Sequence, residues 1–289
     1  KMKIFYLNPS YGEDFVRSAR WAAKSRGRVQ RHPEQALIHI AVLEEAGHEC
    51  RFLDAAAMNM NEEQTSNEIK FFMPDIVIIH TTTPSIYNDI KYAEISKKIC
   101  NPKTVLVGAH ASAEPSDSLL KSHGAVDFVV IGEPDYTLRD ICSGAETESI
   151  LGIGYMKDGE YIENAKRPPL DVNELPFPSW KHIDPKFYHD AGKLYPFLTL
   201  YTGRGCFALC TFCREPAVMD GRRLRIRNAK KVVDEMEYDL QLYPDLREIM
   251  FETDTFTAVP KHVREVCEEI IARGLHKKIR MSCNVRTDI

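Results

Sequence analysis

The sequence predicts an α/β protein, a doubly wound parallel sheet followed by the first part of a second β/α array. Two observations predict it. Continuous apolar runs bounded by turn residues alternate with helical stretches through the first 145 residues, the pattern of parallel strands covered on both faces. The alternation restarts near residue 197, after a proline-rich interruption.

Residues 3–10 (KIFYLNPS) are an apolar run ending in turn residues and read as a strand. Residues 33–47 carry helical periodicity that stops at Gly47; 49–55 read as a strand, 61–73 as an amphipathic helix and 75–85 as a buried strand. A helix over 88–100, a strand over 103–112, a helix over 116–124, a strand over 126–135 and a helix over 136–144 complete the series. Such a series folds as a Rossmann-like or flavodoxin-like sheet. Between 146 and 195 the character changes: Asp158-Gly159 marks a hairpin turn, and NELPFPSW reads as a linker. A strand over 197–206 then enters a cysteine-bearing loop, followed by helix 228–243, strand 248–257, helix 263–274 and strand 278–288. These five elements close no barrel, so the chain is expected to be a fragment of a longer protein, with units at 1–145, 146–195 and 196–289. No internal repeat points to a solenoid.

The 289 residues suffice for two cores, and 44% hydrophobic with 28% charged residues is ordinary for a globular protein. A net charge of -4 leaves no general nucleic-acid or membrane footprint. There is no run of about 18 apolar residues and no signal peptide before the first strand, so a cytoplasmic setting is expected. Cys50, Cys100, Cys142, Cys267 and Cys283 stand singly and are expected to be buried, reduced thiols.

Ligands of doubly wound sheets sit at the strand exits. Neither G-x-G-x-x-G nor a P-loop occurs at the first exit, which reads NPSYGEDF. The third exit offers Thr81, Thr82, Thr83 and Ser85, the fourth Gly108, Ala109 and His110, and the fifth Gly132 and Glu133. These small and hydroxylated residues form either a slot for a flat or elongated ligand or well-capped helix starts. Arg17, Arg20, Lys24, Arg26, Arg28 and Arg31 follow the first strand with no acid among them, as a solvated loop or an anion contact.

At these exits the first domain resembles the cobalamin-binding domain of many radical enzymes. The resemblance implies cobalamin held by Thr81, Thr82, Thr83, Ser85, Gly108, Ala109, His110, Gly132 and Glu133. The family's D-x-H-x-x-G is missing, because Tyr11-Gly12-Glu13-Asp14 brings no histidine. The lower face of cobalt is then empty, water-filled or served by another residue; for His80 and His110 a hydrogen-bonded loop role stands beside ligation.

Cys206, Cys210 and Cys213 form C-x3-C-x2-C within TGRGCFALCTFCREP. Zinc wants four ligands, and His262 and Cys267 fall in a separate helix. A [4Fe–4S] cube on three thiolates keeps one iron open to a small molecule. With a strand leading in, glycines at 203 and 205, and Phe212 before the last cysteine, the loop resembles that of the radical S-adenosylmethionine superfamily. The resemblance implies a cluster on the three cysteines and S-adenosylmethionine on its open iron, cleaved reductively to a 5′-deoxyadenosyl radical. It places Phe212 near the adenine, and Glu252, Thr253, Asp254, Asn284 and Arg286 at strand exits around the cofactor. Arg223, Arg225 and Arg227 alternate along an extended segment, as an anion or substrate contact or as a solvated strand.

The domain order, with RRLRIRN and FETDTFT, is similar to cobalamin-dependent radical S-adenosylmethionine enzymes, in the branch of the bacteriochlorophyll ring cyclase and hopanoid side-chain enzymes. The resemblance implies radical methylation of an unactivated carbon in a small-molecule or lipid-like substrate, with flavodoxin or ferredoxin as electron donor. The alternatives are radical ring formation or rearrangement with the same cofactors, and a non-catalytic corrinoid-binding module. No residue is assigned as a catalytic acid or base.

Overall fold

The computed structural model describes residues 1–12, 15–18, 21–24 and 29–286. In chain order the elements of the first unit are β1 (Lys3–Asn8), β2 (Phe15–Ser18), β3 (Trp21–Lys24), α1 (Glu34–Glu45), β4 (Glu49–Asp54), α2 (Glu62–Phe72), β5 (Ile76–His80), α3 (Ile86–Cys100), β6 (Lys103–Val107), α4 (Ala109–Ala113), α5 (Pro115–Lys121), β7 (Phe128–Val130), α6 (Asp135–Ser143), β8 (Ile153–Lys157) and β9 (Glu160–Glu163). The second unit adds β10 (Phe197–Leu200), β11 (Gly203–Arg204), α7 (Glu215–Val218), β12 (Arg225–Ile226), α8 (Ala229–Leu242), β13 (Glu248–Phe251), α9 (Pro260–Ala272) and β14 (Arg280–Cys283).

The first sheet has the order β4-β1-β5-β6-β7-β8-β9. Its parallel part places the second strand of the series outside the first, the flavodoxin-like order, with the switch point between β1 and β5. Both faces are covered, and Phe5, Leu7, Val77, Ile79, Val105 and Leu106 are wholly buried. The Asp158-Gly159 hairpin forms as expected, both residues at positive φ, but it is part of this sheet: β8 pairs antiparallel with β7, and β9 becomes the edge. Pairing there covers the flank that β7 would otherwise leave open.

The second sheet is β10-β13-β14, all parallel, backed by α8 and α9. Helix α1 is apolar on nearly every side (ALIHIAVL) because it is packed between the two units. Leu37 and Ile40 share one core with Trp180, Leu198, Leu200, Val233, Met236 and Ile249. Trp180, at the end of the supposed linker, is thus a core residue, and NELPFPSW packs instead of swinging free.

Several strands are shorter than their apolar runs. β6 stops at Val107 because Gly108 takes φ +109° and α4 begins at once. β7 ends before Gly132, which has φ +80°. Residues 287 and 288 of the expected last strand, and Glu13, Asp14, Arg20, Arg26 and Arg28, lie outside the described residues. Among the scattered cysteines Cys142 is buried, but Cys267 and Cys283 are exposed. The buried stripe of α9 is His262, Val266 and Ile270, and Cys267 falls beside it. Among the described residues no helix is long and apolar enough to cross a membrane.

Candidate cofactor site between the two sheets

The cysteine loop leaves β10 through Thr202 and is held by backbone geometry. β11 pairs antiparallel with β12, and the Cys206 amide donates to the Gly221 carbonyl at 3.2 Å. Neither Gly203 nor Gly205 tolerates a side chain: a Cβ would lie 2.5 Å from the Arg225 oxygen or 2.4 Å from the Arg223 oxygen. All three thiols are free, Cys206 and Cys210 partly buried and Cys213 exposed. Phe207, Leu209 and Phe212 project outward, Phe212 being 90% exposed. Among the described residues no three Cys, His, Asp or Glu side chains converge as a ready-made metal cage. Ligand loops close around their metal as it binds, and three soft thiolates on one loop suit iron–sulfur chemistry.

The structure gathers the other strand exits of the second sheet around this loop. Thr202 donates its amide to the Thr253 hydroxyl at 2.7 Å. The Asn284 amide bonds the Phe251 carbonyl, and Arg286 reaches the Cys210 sulfur at 3.8 Å. Glu252 is buried and paired with Arg31 at 3.3 Å, while Arg31 also holds Asp190 at 2.7 Å. Asp254 is half-buried on the same exit.

At the first sheet the switch-point crevice is occupied by the protein itself. Arg17, from the β2–β3 hairpin, is fully buried; its Nε donates to Asn8, one terminal nitrogen to Asp89 at 2.7 Å and the other to the His80 carbonyl at 2.7 Å. It is thus neither a solvated loop residue nor available to an anion, whereas Lys24 is exposed. Burial, with Arg17 adjacent, lowers the His80 pKa to about 3, so the ring is neutral. The hydroxyls at the β5 exit are mostly committed: Thr81 donates to the Val107 carbonyl, and Thr82 and Ser85 bond each other, Ser85 also reaching Asp89. Thr83 is exposed and bonds His110 Nδ1 at 3.2 Å, while the buried Nε2 of His110 has no partner among the described residues.

Gly108 is required by the fold, since a Cβ there would sit 2.6 Å from the Thr81 carbonyl oxygen. Gly108→Ala is expected to cost about 2 kcal/mol or more, read as a lower urea midpoint at unchanged m value. Ala109 is buried beside it.

Open space lies further along the sheet, at the β6 and β7 exits. A cleft of about 490 Å³ is lined by Ser112, Gly132 and Glu133 on one side, Lys166 to Leu170 along a second, and Ala217 to Gly221 from the cysteine-loop side. Gly132 donates its amide to Ser112 Oγ, which faces the Met219 sulfur at 3.4 Å.

Behind this cleft the two units are joined by buried and half-buried charges. Arg204 binds Asp135 through two hydrogen bonds of 2.7 and 3.1 Å and reaches Glu133 at 3.4 Å. Arg225 donates to both Glu133 oxygens at 2.9 and 2.7 Å. Burial opposes ionisation of Asp135, but the Arg204 guanidinium outweighs it and holds the carboxyl at about 2. His39, 3.8 Å from Asp135, is lowered to about 4 by burial despite that carboxylate, and it bonds Tyr6. Arg225 and Arg227 are therefore internal, Arg227 pairing with Glu235 at 2.5 Å, while Arg223 is exposed. The sequence reading missed Asp135 and Arg204, and offered Arg17 as a solvated or anion-binding residue. An arginine flanked by glycines two residues before the first cysteine is a visible signal, but its partner 69 positions upstream is not.

This architecture, a flavodoxin-like sheet stationed over the exits of a second parallel sheet, is matched by known proteins. Residues 29–142 match the family model of the B12 binding domain. The chain is similar in sequence to a methyltransferase and to a ring cyclase, and in fold to a cobalamin-dependent S-adenosylmethionine radical enzyme. It is 30% identical over 261 residues to the "Uncharacterized methyltransferase PH0819" of Pyrococcus horikoshii, covering 88% of this chain and 56% of that protein. It is 28% identical to the "Anaerobic magnesium-protoporphyrin IX monomethyl ester cyclase" of Cereibacter sphaeroides, covering 100% of this chain and 47% of that one. The chain thus spans about half the length of these relatives. Among solved structures, the cobalamin-dependent S-adenosylmethionine radical enzyme OxsB, with aqua-cobalamin and S-adenosylmethionine bound, shares its fold at a TM-score of 0.75 and 19% identity, over 97% of this chain and 38% of that one.

Proposed function

We propose that the protein to which this chain belongs is a cobalamin-dependent radical S-adenosylmethionine enzyme that methylates an unactivated carbon of a small-molecule or lipid-like substrate. The observation that carries this reading is a shared wall: Gly221 lines the cleft at the B12-domain strand exits and also accepts the Cys206 amide hydrogen bond. Cys206, Cys210 and Cys213 hold a [4Fe–4S] cluster. Phe212, Glu252, Thr253, Asp254, Asn284 and Arg286 receive S-adenosylmethionine. The cleft, with Gly132, Glu133 and His110 near it, receives the corrinoid. When bound, these groups supply a 5′-deoxyadenosyl radical and a transferable methyl group.

The chain's own residues do the positioning. Arg31 fixes the buried Glu252 carboxylate, and the Thr202–Thr253 bond fixes the exit of β13 against the loop. The apolar Phe207, Leu209 and Phe212 shield the loop from water once covered. The likeness to the ring cyclase supports a second outcome, ring formation with the same cofactors.

Product mass separates the two. Incubated anaerobically with a strong reductant, S-adenosylmethionine and a candidate small-molecule or lipid-like substrate, the complete protein is expected to release 5′-deoxyadenosine and to yield a product heavier than that substrate by one methylene. A product without that gain reassigns it to ring formation. Absence of 5′-deoxyadenosine from protein carrying iron and corrinoid would overturn both.

A further inference from the structure

Two carboxylates of the first unit, the buried Asp135 and the cleft-lining Glu133, are held by two arginines of the second. Both arginines belong to the small β11–β12 ladder, and Arg204 lies two residues before Cys206. Both acids belong to the β7 exit, where Glu133 also lines the cleft. Asp135 is wholly buried at the start of α6, and the Arg204 side chain is 4% exposed. Arg225 further donates to the Leu170 and Asp220 carbonyls, each at 2.9 Å, and both residues are cleft-lining.

A plain stabilising role is a poor account of this arrangement. Desolvating paired charges roughly cancels their attraction, and well-packed apolar groups of similar volume serve stability as well or better. Forked guanidinium–carboxylate pairs do give what apolar contacts lack, which is geometric registration. Here the registration runs from the cleft wall at Glu133, through Arg204 and Arg225, to the backbone entering Cys206. A second path runs from Gly221, also in the cleft wall, through one hydrogen bond to the Cys206 amide. Gly203 and Gly205 leave the ladder no slack, because its strands approach too closely for any Cβ.

We propose that Glu133, Asp135, Arg204 and Arg225 form a positioning clamp that couples occupancy of the cleft to the placement of the cysteine loop. A corrinoid entering the cleft pushes on the β7 exit, and the clamp carries that displacement to the limb of the loop that bears Cys206. By reciprocity, a cluster on the loop alters corrinoid affinity by the same factor. The proposal rests on the cofactor reading.

The test uses the complete protein, reconstituted anaerobically with iron and sulfide and probed with hydroxocobalamin. The readouts are iron content, hydroxocobalamin affinity with and without the cluster, and the electron paramagnetic resonance spectrum of the reduced cluster with and without corrinoid. In the wild type, corrinoid is expected to shift the cluster signal, and the cluster to change corrinoid affinity. Asp135→Asn and the milder Arg204→Lys are expected to keep their iron and bind corrinoid, yet to lose both the shift and the change in affinity. A wild type lacking iron or corrinoid would refute the cofactor reading itself. A wild type holding both without mutual influence would overturn the clamp alone. Variants that retain the full corrinoid-induced shift would overturn it too. So would loss of iron from both variants, because the four residues would then serve only to build the loop.

Discussion

Replacing Cys206, Cys210 and Cys213 together with alanine is expected to take the iron of the anaerobically reconstituted complete protein from about four atoms per chain to background. 5′-Deoxyadenosine formation should vanish with it. The prediction is sharp because these side chains carry little of the fold: Cys213 is exposed, the other two are only partly buried, and none lies in a core cluster. What shapes the loop is its backbone, through the β11–β12 ladder, the Cys206–Gly221 bond and the two glycines. Thermal stability measured without iron should therefore change by less than about 1 kcal/mol, in the range of surface substitutions. The exposed single cysteines give the control, since replacing Cys267 and Cys283 should leave the iron in place. Iron retained by the triple variant would remove the loop from consideration as the cluster site.

The second large effect concerns three acids buried where α1 meets α8. Glu34, Glu235 and Asp239 are all nearly inaccessible, and Arg227 is the arginine that pairs with the group, through Glu235. Glu34 accepts the Tyr201 amide at 2.8 Å. Burial first, and then repulsion from Glu235, holds the Glu34 carboxyl well above the usual range; burial with repulsion from Glu235 and Glu34 does the same to Asp239. Burial also raises Glu235, with Arg227 and Lys231 opposing.

A carboxyl whose pKa is higher in the folded chain binds more protons there than in the unfolded chain. Its favourable contribution is complete below the unfolded carboxylate range and is lost as pH rises through the folded value, at about 1.4 kcal/mol per pKa unit per group. Wild-type stability should thus decline from mildly acidic toward alkaline pH. Asp239→Asn, which cannot ionise, should flatten part of that decline, so that its stability relative to wild type is higher at pH 9 than at pH 4. Urea midpoints at the two pH values decide it. A variant with the pH slope of the wild type would show that Asp239 stays ionised in the fold.

Much of the architecture was legible in the residues alone. Apolar runs alternating with helical periodicity located the parallel strands, and Asp158-Gly159 marked the hairpin. Each is a local signal: side-chain periodicity or turn conformation. Strand ends were less legible. The strands expected over 103–112 and 126–135 run past the points where Gly108 and Gly132, both at positive φ, turn the chain out of the sheet. Likewise Trp180 in a proline-rich stretch gave no hint that α1 would cover it.

The three cysteines, their spacing and the glycines before them came from the sequence by itself, because a ligand loop is contiguous in the chain. The charged seam came only from the tertiary structure. Whether Arg17, Arg204, Arg225 and Arg227 face solvent or a buried carboxylate depends on Asp89, Asp135, Glu133 and Glu235. Three of those four partners lie about 70 to 90 positions away along the chain. A charged residue reads as exposed in a sequence because an unpaired charge is costly to bury; only folding brings up the partner that makes burial tolerable.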